Sequence, residues 1–305
     1  MSYVFGPVPS RRLGLSLGID LIPRKTCSFD CIYCQVGKTS DRIMEASSFV
    51  PVSEVIDELR EVLSKRTPDV ITLAGSGEPT LNADIENVIT EIKKVTSIPL
   101  TLLTNGSLLW NDRIRERIRG VDILIPTLST VYEDTFKRIH RPHPDLKLND
   151  IINGLKETRK EFKKNIFLEV VLLSGLNDTE KEISGLSKVI REISPDRVQL
   201  NTVVRPPSDP GAMSLNNEKL EEIKEYLGGN TEIIAGVPLE KRKNIPDSKL
   251  EQLIEMMKRR PVTVNDISKT LNIEKDETER LVKELRIKGR IKEQDFGDDL
   301  YYTSK

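Results

Sequence analysis

The chain has 305 residues, 37% of them hydrophobic and 31% charged, with a formal net charge of −1. That length holds one large α/β domain of about 200 to 250 residues plus a small one, and so balanced a charge excludes a protein whose overall field is built to hold nucleic acid. No stretch approaches the roughly 18 consecutive apolar residues of a membrane span, and the N-terminus lacks a secretory apolar run, so a cytoplasmic protein with no membrane partner is expected.

In chain order, "LGLSLGIDLI" (13 to 22) reads as the first strand, and a cysteine-bearing loop follows it. A helix at 53 to 65 places Val55, Ile56, Leu59, Val62 and Leu63 on one face, with Ser53 as its N-cap. Strand and helix then alternate: strand 69 to 75, helix 82 to 95, strand 99 to 104, helix 108 to 118, strand 122 to 128, helices 131 to 139 and 148 to 162. Strand 166 to 173, helix 179 to 193, strand 197 to 203, helix 215 to 227 and strand 231 to 236 complete the series. Short apolar strands separated by helices pair in parallel through right-handed crossovers. The expected fold is therefore α/β, a partial (β/α)6-type TIM-like barrel over residues 1–240, with its chemistry at the C-terminal ends of the strands.

Residues 241–247 lose the periodicity and carry charge and proline, which marks a linker. Beyond it, 248–305 reads as three helices, the second opened by a Thr263–Asp266 capping pair, and two alternating strands around "FGDD". That order is the pattern of a small winged helix-turn-helix domain. Its acidic and basic residues nearly balance, yet Arg280, Lys283, Arg286, Lys288, Arg290 and Lys292 gather on the third helix and the start of the wing. Lys283, Arg286 and Arg290 are the expected phosphate contacts if the module binds nucleic acid; a protein-docking or purely structural module is the alternative.

The chain's three cysteines, Cys27, Cys31 and Cys34, fall in the loop "KTCSFDCIYCQVGKTS" with spacing C-x3-C-x2-C. A disulfide framework is excluded by an odd, clustered set in a reducing compartment. A structural zinc site wants four ligands and would have to recruit His140 or His143 from more than 100 residues away; a redox pair does not need the third thiol. A [4Fe-4S] cluster held by three thiolates instead of four keeps one iron open to the donor atoms of another molecule.

That loop, with Tyr33 just before the last cysteine, resembles the radical S-adenosylmethionine superfamily. "GSGEPTL" after the second strand resembles the family's Gly-Gly-Glu-Pro motif, "LLTNG" after the third its Thr-Asn-Gly segment, and "VVLLSGLND" the segment packed near adenine and ribose. The resemblance covers residues 1 to about 240. It implies one [4Fe-4S] cluster on Cys27, Cys31 and Cys34, S-adenosylmethionine chelated at the open iron, and reductive cleavage to a 5′-deoxyadenosyl radical. It further implies an electron donor such as ferredoxin or flavodoxin. Gly77 and Glu78 would hold the methionine ammonium. Tyr33, Pro79, Thr104 and Asn105 would line the cofactor site, and Ser129 is a ribose contact or a helix cap.

"VFGPVPSRRLGLSLGIDLIPRKTCSFDCIYCQ" with "QLNTVVRPPSDPGA" resembles a branch near the wyosine-type tRNA synthases. Those synthases carry further N-terminal cysteines for a second cluster, which this chain lacks, so the match implies kinship rather than the same reaction. Arg11, Arg12, Asn201 and Arg205 are candidate substrate contacts, the arginines for an anionic group. The functional expectation is a radical enzyme modifying a nucleic acid, tRNA above all. A protein or peptide substrate docked by the winged helix is the alternative, and a DNA-binding iron-sulfur sensor a third reading.

Overall fold

The computed structural model describes residues 2–235, 249–271, 273–287 and 289–304. The expected linker at 241–247 and the domain boundary at 240 lie outside the described residues.

The chain opens with strands β1 (Val4–Ser10) and β2 (Gly14–Ile19), then the short pair β3 (Thr26–Cys27) and β4 (Asp41–Arg42) within the cysteine loop. Helix α1 (Val52–Lys65), β5 (Val70–Leu73), α2 (Ile85–Val95), β6 (Leu100–Thr104), α3 (Asp112–Arg117) and β7 (Ile123–Pro126) follow. Next come α4 (Glu133–His140), α5 (Leu148–Glu161), β8 (Asn165–Leu172), α6 (Glu180–Ile193), β9 (Arg197–Thr202), α7 (Asn217–Leu227) and β10 (Thr231–Ile233). The C-terminal unit comprises α8 (Lys249–Arg259), α9 (Val264–Leu271), α10 (Lys275–Ile287) and the hairpin β11 (Ile291–Phe296) to β12 (Asp299–Ser304).

One sheet runs β1-β2-β5-β6-β7-β8-β9-β10, parallel throughout except for the antiparallel β1–β2 hairpin. The strands from β2 to β10 are joined by helical crossovers, as parallel pairing requires, and β1 and β10 stand at the two ends of an open sheet. The core lies between sheet and helices: Leu17, Ile19, Ile71, Leu73, Leu100 and Leu102 are all fully buried against Leu59, Ile85 and Ile92.

Two expectations need correction. Strand β1 was not anticipated, because Pro7 and Pro9 argue against a strand; it is an edge strand, where a missing N–H breaks no inner ladder. Ser53 does not cap α1, which starts one residue earlier with Pro51 at the N-cap and no side-chain capping bond. The Thr263–Asp266 pair is reciprocal, Asp266 N–H donating to Thr263 Oγ1 at 3.0 Å and Thr263 N–H to Asp266 Oδ2 at 3.2 Å.

The C-terminal unit has its own core, with Leu253, Met257, Val262, Ile267, Leu271 and Leu285 at its centre, and Val8 of β1 packs into it. It also grips the sheet through polar contacts. Arg259 donates to Ser2 O at 2.9 Å and lies 4.2 Å over the Phe5 ring, and Tyr301 Oη donates to Val204 O at 2.8 Å.

Candidate active site

The loop after β2 is tied down by its neighbours. Lys25 N–H donates to Ser76 O and Glu78 N–H to Thr26 O, at 2.9 and 3.2 Å, which lays the turn after β5 along the start of the cysteine loop. Gly77 is what permits this approach: a Cβ there would stand 2.0 Å from the Thr26 carbonyl oxygen. From the turn after β6, Asn105 Nδ2 donates to Ser28 Oγ at 2.9 Å and reaches Cys27 Sγ at 3.5 Å. Ser208 Oγ donates to the carbonyls of Cys31 and Ile32 at 2.9 and 3.0 Å, and Ile32 N–H donates to Ile139 O at 2.9 Å. The loops after β2, β5, β6 and β9, with the end of α4, thus converge on one rim, as a barrel requires for chemistry at its strand ends.

There, Cys27, Cys31 and Cys34 line a cavity of about 400 Å³ together with Tyr33, Gly77, Glu78, Pro79, Thr104 and Asn105. Arg11, Arg12, Asn201 and Arg205 line the same cavity. Ser129 does not. It is fully buried, and its Oγ accepts from Val171 N–H at 3.2 Å, which makes it a strand-end brace. Lys283, Arg286 and Arg290 are exposed outside the cavity, and Arg286 is held by Glu293 at 2.9 and 3.2 Å.

Glu78 is buried, and its carboxylate accepts from Thr80 N–H, Thr80 Oγ1, Thr104 Oγ1 and Asn105 N–H at 2.6 to 3.1 Å. Burial pushes its pKa up, opposed by those four donors. On the far wall, Glu169 takes Arg12 at 2.8 Å and Asn201 Nδ2 at 3.0 Å, while Asn201 Oδ1 accepts from Arg11 at 3.2 Å. Burial raises the Glu169 carboxyl, but the charge and hydrogen bond of Arg12 outweigh it and hold the group below the usual carboxylate range.

The thiols suit a metal cluster by their chemistry. Burial, then the neighbouring Glu78 carboxylate, pushes Cys27 up to about 12, and burial with the other two thiols raises Cys31. Thiols so placed ionise only with positive charge supplied beside them, as a cluster supplies it. Among the described residues no group of three or more His, Cys, Asp or Glu has the geometry to hold a single metal ion. In a cubane each thiolate binds its own iron, so the sulfurs need not converge on one point.

Several residues in or beside the cavity take part in ways the local motifs do not announce. Lys25, 8% exposed and left-handed at φ +67°, points Nζ at Cys34 Sγ at 3.5 Å. His140, weighed above as a zinc ligand, lies with Nδ1 3.3 Å from Cys31 Sγ, in a ring cluster with Phe29, Phe136 and Tyr33. Glu169, a lone acid in an apolar strand, was the one readable signal. Met256, Arg259 and Arg260 also line the cavity, and nothing local in the C-terminal sequence announces that.

The radical SAM superfamily profile matches residues 21–185, which spans more than half of the chain. The chain belongs to the radical SAM superfamily. A UPF0026 protein of Methanocaldococcus jannaschii is 35% identical over 77% of this chain and 73% of its own length. A protein of Brachyspira hyodysenteriae described as GTPase Obg is 41% identical over 98% of this chain, which spans 45% of that relative. Among solved structures, a radical SAM methyltransferase from Sphaerobacter thermophilus shares the fold, with TM-score 0.55 at 18% identity over 73% of this chain and 67% of that one. This radical SAM protein is accordingly an enzyme with a mostly parallel α/β sheet, and no helix among its described residues is long and apolar enough to cross a membrane.

Proposed function

We propose that the chain is a radical SAM enzyme that modifies RNA, tRNA being the substrate class, with the C-terminal unit acting as a winged helix. The observation that carries the catalytic part is the single cavity shared by Cys27, Cys31 and Cys34 with Glu78 and Asn105. The three cysteines hold a [4Fe-4S] cluster, and Gly77, Glu78, Pro79, Thr104 and Asn105 hold S-adenosylmethionine. When bound, the two supply reductive cleavage to a 5′-deoxyadenosyl radical, fed by a ferredoxin or flavodoxin. Glu78 offers the methionine ammonium a carboxylate already oriented by four donors, so little reorganisation is needed on binding. Arg12, Glu169 and Asn201 form the opposite wall and orient the substrate.

Exposed Lys283 and Arg290 support RNA. The Arg286–Glu293 pair removes one cation from that surface and favours the second reading, a protein or peptide substrate docked on the same unit. Anaerobic reconstitution should load about four irons per chain, and Cys27→Ala, Cys31→Ala or Cys34→Ala should each abolish the cluster. Stoichiometric zinc with no iron-sulfur absorption would sink the catalytic reading. Comparison of modified nucleosides in tRNA from cells with and without the gene tests the substrate; identical profiles would leave the peptide reading ahead.

A further inference from the structure

The cavity holds more positive charge than its protein partners answer. We propose that its mouth is a phosphate site shared by the barrel and the C-terminal unit, formed by Arg11, Arg205 and Arg260, and that the substrate carries a phosphoryl group there. The substrate clause rests on the radical SAM reading above; the phosphate site itself does not.

Three guanidinium groups arrive from three separate elements: the β1–β2 turn, the loop after β9 and the end of α8. Arg12 has its partners, Glu169 at 2.8 Å and Gln199 at 3.1 Å, but among the described residues none of these three has a carboxylate at hydrogen-bonding distance. Among the described residues Arg11 donates only to neutral oxygens, Asn201 Oδ1 at 3.2 Å and Ile234 O at 3.5 Å. Arg205 is 8% exposed, and its carboxylate neighbour Asp266 stands 3.8 Å away, already accepting the Thr263 N–H of the α9 cap. Arg205 Nε and Arg260 Nη2 are buried with no hydrogen-bond partner among the described residues. Glu78 is committed to its four donors and Glu169 to Arg12 and Asn201, so among the described residues these three cations face only Asp266 and, for Arg11, the field of Glu169.

Burial, then the charges of Arg205 and Arg12, pulls Arg11 down to about 10; burial, then Arg205, pulls Arg260 down to about 9. Buried charges are ordinarily paired, so this surplus asks for an anion from outside. The geometry selects among anions. A planar carboxylate is satisfied by one bidentate fork, whereas three guanidinium groups borne on three elements of one cavity suit the several oxygens of a tetrahedral phosphoryl group.

The test is calorimetric titration of the full-length, cluster-loaded protein with inorganic phosphate at fixed ionic strength, acetate serving as the planar comparison. Phosphate should bind saturably and at least tenfold more tightly than acetate. Arg205→Gln and Arg260→Gln should each weaken phosphate roughly 10- to 100-fold, the range for a charged hydrogen bond, while Arg138→Gln on the exposed face of α4 should change nothing. If Arg260→Gln fails to fold, Arg260→Lys keeps the charge, loses the fork, and should still weaken phosphate measurably. Equal phosphate affinity in wild type and the Arg260 variants, or acetate binding as tight as phosphate, overturns the proposal.

Displacement of phosphate by tRNA assigns the group to a polynucleotide, and displacement by adenosine 5′-monophosphate alone assigns it to a small phosphorylated substrate. Displacement by neither overturns the substrate assignment. Phosphate binding does not depend on the cluster, so a protein that binds phosphate but never cleaves S-adenosylmethionine would refute the radical reading alone.

Discussion

Glu78, 2% exposed, answers four protein donors from two turns and also faces the cavity, so charge and framework can be separated by two substitutions. Glu78→Gln keeps the shape and an acceptor oxygen but removes the charge; S-adenosylmethionine should bind about 1.5 to 3 kcal/mol more weakly by calorimetry, with iron content intact. Glu78→Ala strands the Thr80, Thr104 and Asn105 donors together, at about 1 to 3 kcal/mol for each buried group left unmade, whereas Glu78→Gln turns one accepting oxygen into a donor and strands only the donors on that side, so its melting temperature should fall less. Gly77→Ala makes a harder test of the framework. Its Cβ would press on the Thr26 backbone oxygen, which cannot swing aside as a side-chain tip can. A loss of about 1 to 3 kcal/mol in stability, the usual cost of overpacking, together with poor iron loading, is the expected result; wild-type iron content would show that the two turns are not coupled.

At the scale of elements, the parallel strands were legible because each is a short apolar run between amphipathic helices, and Cys27, Cys31, Cys34 and the Gly77–Glu78 turn were legible because their spacing is local. What stayed hidden is what the topology assembles from afar. Strand β1 was concealed by its prolines. His140 reaches Cys31 across 109 positions, and the arginine turn after β1 meets β8 and β9 inside the sheet. That last contact has a pH signature. Glu169 is held below its ordinary range, so its contribution to stability is fully present above about pH 4.5 and is lost as the pH falls through its lower folded value. Glu169→Gln should cost about 3 kcal/mol at neutral pH by leaving Arg12 unpaired at 10% exposure. The gap from wild type should close below pH 4.5, measured by denaturant unfolding of the cluster-free protein; a gap independent of pH would assign the loss to packing.

At the scale of the molecule, the C-terminal unit is wall as well as module, since Met256, Arg259 and Arg260 face the same space as the cysteines. A chain ending at Pro246 keeps every described hydrogen bond to the cysteine loop, which all come from residues before 235, so iron should still load and S-adenosylmethionine should still be cleaved with dithionite. Its stability should fall as Phe5 and Val8 lose their cover, and turnover of substrate should fall with it; unchanged turnover would show that the unit neither walls the site nor delivers substrate. The unanswered charge beneath that wall also acts on the wall itself. Arg11, Arg205 and Arg260 repel one another, and a bound anion would offset that repulsion, so anion occupancy and the packing of the C-terminal unit on the sheet should strengthen each other by the same factor. A filled site would then be a firmer site, and heating should part the C-terminal unit from the sheet later with phosphate present than without it.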